Sequence, residues 1–521
     1  MQKLTSSIYT FEKLIENNFL YVDKTEYIWR LIDSAPAMYF MSRPRRFGKS
    51  LTVSTLEAVF SGKKELFKGL AIYNKSYDWK KYPVIHLDMG NCDATTPETL
   101  RKFITRLLQD KAEEYQVSIQ IQNDELASSF GALISAVSKD APVVILVDEY
   151  DKPILNNIGN PELKEMLFVL KGFYSTIKTC EQQEHFVFVT GVSKFCHVSL
   201  FSDLNNLTDI TMNADYATML GYTQREFETN FAEWISAAES RQQLPHEAYL
   251  REIKNWYNGY RFHAQKETVY NPVSLASFFT DNGEFKNYWF STGTPSFLLE
   301  LIKKKNFDFE DALTRPVSGI AFAAYEVDRI EPLALLLQTG YLTIKSSFVD
   351  FGATFYHLDF PNFEVRSAFD TYLLNAYTSI TKDELEGIAV GLARHVRSGN
   401  TEGIMKDFKI FLAAIPYDIQ LSNEKYYQTI FFLLFLMLGV YIEAESRTND
   451  GRIDAVAMCG EWIYLFEFKI NRNAECALDQ IKEKEYFRKY QHSGKRIILI
   501  GANLNMETRQ LDDWKQEEVC L

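Results

Sequence analysis

The chain has 521 residues and a formal net charge of −13, with 46% hydrophobic and 24% charged residues. This length exceeds what one hydrophobic core organises, so about three or four domains are expected. The balanced composition excludes disordered, collagen-like and low-complexity classes. The acidic excess argues against a generally basic surface for nucleic acid, so any polyanion site would be a local groove.

Cysteine and apolar patterns exclude further classes. The six cysteines contain no CxxC pair, which argues against a disulfide framework or a zinc knuckle. The longest apolar run, residues 430–440, is much shorter than the roughly 20 residues that span a bilayer. The first residues lack the charged-then-apolar order of a signal peptide. We therefore expect a soluble, cytoplasmic protein without a membrane partner.

Short apolar runs alternate with helical patterns in the first two hundred residues. The predicted strands are residues 37–41, 84–88, 143–147 and 186–190. The predicted helices run to about residue 60 after the first strand, and over 100–115 and 163–179. This alternation predicts an α/β fold with a parallel sheet covered on both faces.

The later part of the chain has a different pattern. Helical periodicity dominates from about residue 215 to 375, with aromatic-rich loops. Within it, residues 333–345 and the later YHLDFP predict a helix followed by a hairpin, as in a winged helix. Beyond residue 423, an apolar helix, three strands and a charged helix are expected.

The stretch SRPRRFGKSLTVSTLEAVF places Gly48, Lys49 and Ser50 between a strand and a helix. Amide groups and the helix dipole at such a turn attract phosphate, the lysine reaches the terminal phosphates, and the serine ligates Mg²⁺. About 100 residues later, VVILVDEYD ends a buried strand with Asp148 and Glu149. At an exposed strand end, Asp148 can hold the Mg²⁺ shell and Glu149 can polarise an attacking water.

The loop departs from the usual GxxxxGKS pattern. Arg43 occupies the position of the first glycine, and Arg45, Arg46 and Phe47 follow it. Arginine lacks the backbone freedom of glycine, but guanidinium groups suit a triphosphate, so these loop residues are candidate nucleotide ligands. The alternative is a basic surface turn followed later by an ordinary acidic helix cap.

Several motifs together resemble a bacterial family of predicted AAA-like ATPases, many with a C-terminal nuclease-like domain. They are RPRRFGKSL, VDEYDKPI, TGVSKF, LFSDLNNLTDIT, WYNGYRF, YNPVSL and YWFSTGTPSFL. The resemblance covers about residues 5–300 and 400–515. It implies that Thr190, ahead of Ser193, senses the γ-phosphate, although a threonine that closes a strand is an equal alternative. Arg261 could reach the nucleotide from a helical lid, but packing against aromatic rings is the stronger alternative.

The C-terminal part of the chain, called the tail below, carries a second group of charged residues. Asp454, Glu467 and Lys469 have the spacing D-x12-E-x-K, and Glu467 and Lys469 share one face of a strand. This spacing resembles the PD-(D/E)XK nuclease superfamily, in which two carboxylates hold Mg²⁺ and the lysine orients water or stabilises charge. The alternative is a structural ion pair in an inactive copy.

The superfamily resemblance extends to neighbouring positions of the tail. Glu424 falls where a further acidic residue often stands, Gln480 falls on the following helix, and the Phe468 carbonyl could complete a metal shell. Residues 481–500 carry six cations against two carboxylates. They form either a local basic groove for a nucleic-acid backbone or a solvated charged helix.

These observations predict four domains. They are an AAA-like P-loop ATPase core (1–214), a helical lid (215–300), a helical or winged-helix-like connector (301–400) and a restriction-endonuclease-like α/β domain (401–521). We expect ATP and Mg²⁺ as cofactors, a homo-oligomer, and cleavage of nucleic acid, chiefly DNA. The alternative is a nucleotide-dependent switch whose tail binds without cutting.

Overall fold

The computed structural model describes most of the chain, in two compact units. The units are Met1–Phe307 with Ala312–Glu364, and Asp308–Asp311 with Val365–Leu521. The described residues are 2–194, 206–241, 244–289, 298, 301–302, 307, 312–313, 315–319, 331–415, 430, 433–435, 437–439, 443–445, 455–505, 507–508 and 510–519.

A five-stranded sheet forms the centre of the first unit. Its strands are β1 (Ala37–Ser42), β2 (Val84–Asp88), β3 (Val143–Asp148), β4 (Glu184–Gly191) and β5 (Thr208–Asp209). They lie in the order β2-β3-β4-β1-β5, and each neighbouring pair is parallel. Every residue of β3 is buried, as expected for a strand covered on both faces. The predicted parallel sheet is confirmed.

Helices precede and follow these strands. They are α1 (Phe11–Glu16), α2 (Thr25–Asp33), α3 (Lys49–Phe60), α4 (Pro97–Glu114), α5 (Leu126–Val137), α6 (Lys152–Leu155) and α7 (Leu163–Thr179). Helix α3 begins directly after Gly48, whose left-handed φ of 94° is easy only for glycine. The β1-loop-α3 order therefore brings the start of α3 to the carboxyl edge of the sheet.

Four helices with an aromatic core follow the sheet in the first unit. They are α8 (Gln224–Asn230), α9 (Ala232–Glu239), α10 (His246–Tyr257) and α11 (Pro272–Thr280). The Asn271 side chain accepts hydrogen bonds from the first amides of α11, so a cap fixes where this helix begins. Phe227, Phe231, Tyr257 and Phe278 are among the buried residues that join the four helices.

A helix and a small sheet complete the first unit. They are α12 (Pro332–Thr339), β6 (Val317–Ser318), β7 (Thr343–Asp350) and β8 (Ala353–Asp359). The order β6-β8-β7 is antiparallel. Gly340 ends α12 with φ 89°, a left-handed cap that turns the chain into the hairpin. The predicted helix followed by a hairpin is present.

The second unit combines helices with another five-stranded sheet. Its elements are α13 (Phe363–Thr378, in this unit from Val365), α14 (Lys382–Ser398), α15 (Thr401–Ala414), β9 (Glu443–Glu445), β10 (Ala455–Cys459), β11 (Trp462–Ile470), α16 (Ala474–Glu483), β12 (Arg496–Asn505) and β13 (Gln510–Val519). The sheet order is β13-β12-β11-β10-β9, and only β11 and β12 are parallel. Helix α16 makes that parallel crossover.

Within the part of the chain that the structure describes, no helix is both long and apolar enough to cross a bilayer. The division into four domains stays a prediction.

Candidate functional site

A cleft of about 590 Å³ opens at the carboxyl edge of the first sheet. The start of α3 and the ends of β2 and β3 contribute its polar lining, which includes Lys49, Ser50, Asp88, Asp148 and Glu149. The two sequence motifs, about 100 residues apart, therefore face one space. Carboxyl ends of parallel strands are where α/β sheets place ligands.

The lysine of the glycine-lysine-serine turn is bound by two backbone carbonyls of its own loop. Lys49 Nζ donates hydrogen bonds of 3.0 Å to the carbonyls of Arg43 and Pro44. Burial lowers the pKa of Lys49, and the nearby Glu149 and Asp148 carboxylates oppose that shift. A phosphate that entered the turn would offer Lys49 charged acceptors in place of two neutral ones.

The carboxylates of the DEYD segment lie against this turn. Asp148 is buried, and burial raises its pKa while a hydrogen bond with the Ser50 side chain lowers it. Its Oδ1 also accepts a 2.9 Å hydrogen bond from the Glu149 amide. Ser50 and Asp148 thus present adjacent oxygen donors, which suits Mg²⁺, an ion that takes its remaining ligands from phosphate and water.

Two non-glycine residues of the site have left-handed backbones. Arg46 has φ 66° and Glu149 has φ 50°. Such a conformation costs an L-residue of order 1–2 kcal/mol and persists only where the surroundings impose it. At Glu149 it follows from the tight turn after β3, in which the Tyr150 amide donates to the Thr190 carbonyl at 3.1 Å.

Asp88 is a third acidic residue of the cleft, and the sequence analysis did not single it out. It pairs with Asp148 in the β2–β3 register, and its Oδ1 accepts a 2.8 Å hydrogen bond from the Gly90 amide. A Cβ at Gly90 would lie 2.9 Å from Asp88 Oδ1 and 3.4 Å from Glu149 Oε2, so the two carboxylates flank this glycine. The signal was available, because VIHLD ends in aspartate as VVILVD does.

The structure places Arg43 and Phe47 away from the cleft surface. The Arg43 guanidinium is buried and donates to the carbonyls of Ser42, Thr211 and Tyr216. Burial lowers the pKa of Arg43 to about 9. The Phe47 ring is equally buried and packs edge-on against two aromatic rings. Neither side chain lines the cleft. Arg43 and Phe47 therefore support the loop by packing, and we do not propose that they contact the nucleotide directly.

The two candidate sensor hydroxyls both have hydrogen-bond partners within the protein. Thr190 Oγ1 donates to the Met41 carbonyl at 2.8 Å, which ties β4 to β1. Ser193 Oγ donates to Asp151 Oδ2 at 2.6 Å, and the Ser193 and Val192 amides donate to the same carboxylate. This geometry favours the strand-closing role for Thr190, and its sensor role stays a prediction. Asp151 is a buried anchor that the sequence analysis passed over.

The motifs YNPVSL and YWFSTGTPSFL each supply a side chain that binds the arginine-containing loop, residues 43–47. Asn271 Nδ2 and Trp289 Nε1 both donate to the Arg45 carbonyl, at 3.5 and 3.3 Å. Glu364 is fully buried and accepts from the Tyr288 and Trp289 amides. Burial raises the pKa of Glu364 to about 7.

The predicted lid arginine has another position. The Arg261 amide donates to Thr343 Oγ1 and its guanidinium donates to the Lys345 carbonyl, each at 2.8 Å. Arg261 does not line the 590 Å³ cleft. These contacts favour the packing alternative.

The second unit assembles part of the predicted nuclease-like site. Glu467 Oε1 accepts a 2.8 Å hydrogen bond from Lys469 Nζ and another from Gln480 Nε2 of α16. Glu467 is 2% exposed. Helix α16 lies close to β12 because Gly501 has no side chain there; a Cβ would lie 2.5 Å from the Ala474 carbonyl.

The remaining acidic candidates, Asp454 and Glu424, lie outside the described residues. The described β10–β11 ladder ends at the Ala455–Phe466 pair, one residue short of the predicted Asp454–Glu467 pairing. Among the residues that the structure describes, no group of three His, Cys, Asp or Glu side chains is arranged to hold a metal ion. The roles of Asp454 and Glu424 in a metal site stay predictions.

At least three of the six cations counted between residues 481 and 500 form ion pairs with described residues. Lys482 pairs with Glu517 at 3.0 Å, Arg488 with Glu485 at 2.6 Å and Arg496 with Glu518 at 2.7 Å. Strand β13 supplies two of these carboxylates. The pairing favours the solvated charged surface over the basic groove.

Comparisons with known proteins agree with this architecture. The family model described as a predicted AAA-ATPase matches residues 6–201, and that of the PD-(D/E)XK nuclease superfamily matches residues 422–514. An uncharacterized protein in the vnfD 5′ region of Azotobacter chroococcum mcd 1 is 36% identical over 523 residues, which cover 98% of each chain. The chain therefore belongs to the family of predicted AAA-ATPases and carries a PD-(D/E)XK nuclease-superfamily domain at its C-terminus.

Proposed function

We propose that the first unit binds and hydrolyses ATP and that the C-terminal domain cleaves nucleic acid, DNA in the first instance. The observation that carries the ATPase proposal is the single cleft in which Lys49 and Ser50 face Asp148 and Glu149. Bound Mg²⁺ would neutralise charge on the phosphates at the cleft and activate water at the tail.

In the ATPase step, Lys49 leaves the Arg43 and Pro44 carbonyls and binds the terminal phosphates. Arg45 and Arg46 line the cleft and add positive charge beside the triphosphate. Glu149 then orients the attacking water and accepts its proton, while Asp148 and Ser50 hold the metal. The left-handed backbone at Glu149 directs this carboxylate into the cleft.

The experiment for the ATPase step compares Lys49→Ala with Glu149→Gln. Lys49→Ala should lose ATP binding, because the buried ammonium is the main counter-charge. Glu149→Gln should bind ATP and lose hydrolysis, because the amide cannot accept the proton. Tight binding of labelled ATP by Lys49→Ala would refute the assignment.

In the nuclease step, Glu467 and Asp454 hold the metal and Lys469 orients the water or stabilises the developing charge. The hydrogen bonds of Glu467 to Lys469 and Gln480 support this proposal, because they bring three superfamily positions together. The test is cleavage of single-stranded DNA, double-stranded DNA and RNA with Mg²⁺ or Mn²⁺, with and without ATP.

A second function is a nucleotide switch whose tail binds a partner without cutting. It is favoured by the ion pairs of Lys482, Arg488 and Arg496, which reduce the positive charge available to a nucleic-acid backbone. No cleavage of any of the three substrates, combined with tight retention of nucleotide, would support the switch. ATP turnover that rises with DNA would support the nuclease.

A further inference from the structure

The nucleotide cleft has an arch of N-terminal residues over it, and this arch has no role in the chemistry described above. Residues Thr5 to Thr10 all line the cleft. The arch is anchored at one end by the Leu20 amide, which donates to the Lys3 carbonyl at 2.8 Å. At the other end the Phe11 amide donates to Ser54 Oγ of α3 at 3.0 Å.

Aromatic packing around Phe11 holds the second end of the arch in place. Phe11 is fully buried, stacks on Phe67 with ring centroids 4.6 Å apart, and contacts Tyr21 edge-on. Ser54 lies one helical turn after Ser50, so the arch crosses α3 about 6 Å along the helix from the phosphate-binding start. A ligand held at Ser50 can therefore reach the arch.

Tyr9 is the exposed aromatic residue of this arch. Its side chain lines the cleft and is 64% exposed. The cleft's other tyrosine, Tyr222, has its ring packed against Phe231 at 5.7 Å. Tyr9 is therefore the tyrosine of the cleft that is open to an incoming ligand, on a segment that is held at both ends.

The lining of the cleft combines charged and apolar groups. The charged groups come from the loop, the strand ends, α3 and α6, whereas Ile8, Leu14, Leu20 and Leu51 add apolar surface. ATP has the same combination, because its γ-phosphate must approach Glu149 and its nucleoside is the less polar part. The apolar surface beside the arch is therefore the place for the nucleoside.

A neighbouring cavity offers much less room than the cleft. This cavity shares Leu20, Leu51, Tyr222 and Pro272 with the cleft and has a volume of about 70 Å³. The cleft has a volume of about 590 Å³ by the same measure, so it offers the base far more room.

We infer that Tyr9 is the stacking platform for the purine base of the bound nucleoside triphosphate. The inference rests on the proposed ATPase function and adds the contact that separates a nucleotide from a bare polyphosphate. Stacking on an aromatic ring tolerates any base because every base has a π face. The site therefore discriminates weakly between ATP and GTP.

The experiment measures the affinity of the full-length protein for MgATP, MgGTP and magnesium tripolyphosphate by calorimetry. Tyr9→Ala should weaken ATP and GTP binding by about tenfold each, which corresponds to about 1.4 kcal/mol and is a usual size for base–aromatic stacking, and should leave tripolyphosphate binding within twofold. Tyr9→Phe should keep the wild-type affinities, because the ring is retained. Phe168→Ala, which removes an aromatic residue that is 76% exposed and does not line the cleft, is the matched control.

The outcomes separate this inference from the proposed function. Wild-type affinity of Tyr9→Ala for ATP would overturn the stacking role while Lys49→Ala still tested the ATPase site. An equal loss in Tyr9→Phe would replace stacking with a hydroxyl contact and also overturn it. A parallel loss of tripolyphosphate binding in Tyr9→Ala would indicate a displaced loop and count against it. If the wild type binds none of the three ligands, both the function and the inference fail.

Discussion

The left-handed backbone at Glu149 should make two substitutions of this residue differ in stability, although both should abolish activity. Glu149 has φ 50°, which costs an L-residue of order 1–2 kcal/mol, whereas glycine adopts it freely. Glycine also loses about 0.4–1 kcal/mol through the entropy of the unfolded chain. Glu149→Gly should therefore be more stable than Glu149→Ala by roughly 0.5–1 kcal/mol. Both variants should lose ATP hydrolysis.

The comparison with alanine isolates the backbone strain. Both substitutions remove the same carboxylate from beside Asp88 and Asp148, so relief of charge repulsion cancels between them. The assay is the thermal transition of the first unit, where about 1 kcal/mol shifts the melting temperature by roughly 1 °C because the unfolding entropy of about 360 residues is large. Equal melting temperatures for Glu149→Gly and Glu149→Ala would show that the surroundings, rather than the residue, relieve the strain.

Further predictions concern the loop, assembly, the tail and Glu364. Lys49→Ala should lose ATP affinity by at least tenfold in equilibrium binding. ATP should change the sedimentation coefficient if a neighbouring subunit completes the site, and identical sedimentation with a non-hydrolysable analogue would argue against this. Metal-dependent cleavage should be lost, with ATP binding intact, in each of the variants Asp454→Ala, Glu467→Ala and Lys469→Ala. A lower melting temperature of Asp454→Ala, together with no cleavage even by the wild type, would indicate a structural role instead. Burial raises the pKa of Glu364 to about 7, so the folded state binds the proton more tightly than the unfolded state, and wild type should lose stability relative to Glu364→Gln as pH rises from about 4.5 to 7.

Local patterns in the sequence were sufficient to place the phosphate-binding turn and the acidic strand end. Gly48 and Lys49 join a strand to a helix over a few residues, and Asp148 directly ends an apolar run. Asp88 also ends an apolar run, but only the β2–β3 register shows that it lies beside Asp148. Register between distant parallel strands is a tertiary property.

Charge patterns were less informative because partners come from elsewhere in the chain. Arg43 has a sequence neighbourhood typical of a phosphate ligand, yet carbonyls of Thr211 and Tyr216 bind its guanidinium. Arg496 counted toward a basic groove, but Glu518 of the neighbouring β13 binds it bidentately. A local count of cations does not include carboxylates from a strand that follows later.

The two candidate sites differ in how their geometry is produced, and this difference explains which could be predicted more fully. Glu467 and Lys469 lie on a regular strand, where alternation alone directs both side chains to one face, so the spacing E-x-K already implies their contact. The nucleotide cleft instead uses turns in which Arg46 and Glu149 have left-handed backbones. No spacing predicts such turns for non-glycine residues, because the rest of the fold must impose them. Substitutions that disturb packing behind the loop should therefore impair the nucleotide site before they impair the Glu467–Lys469 pair.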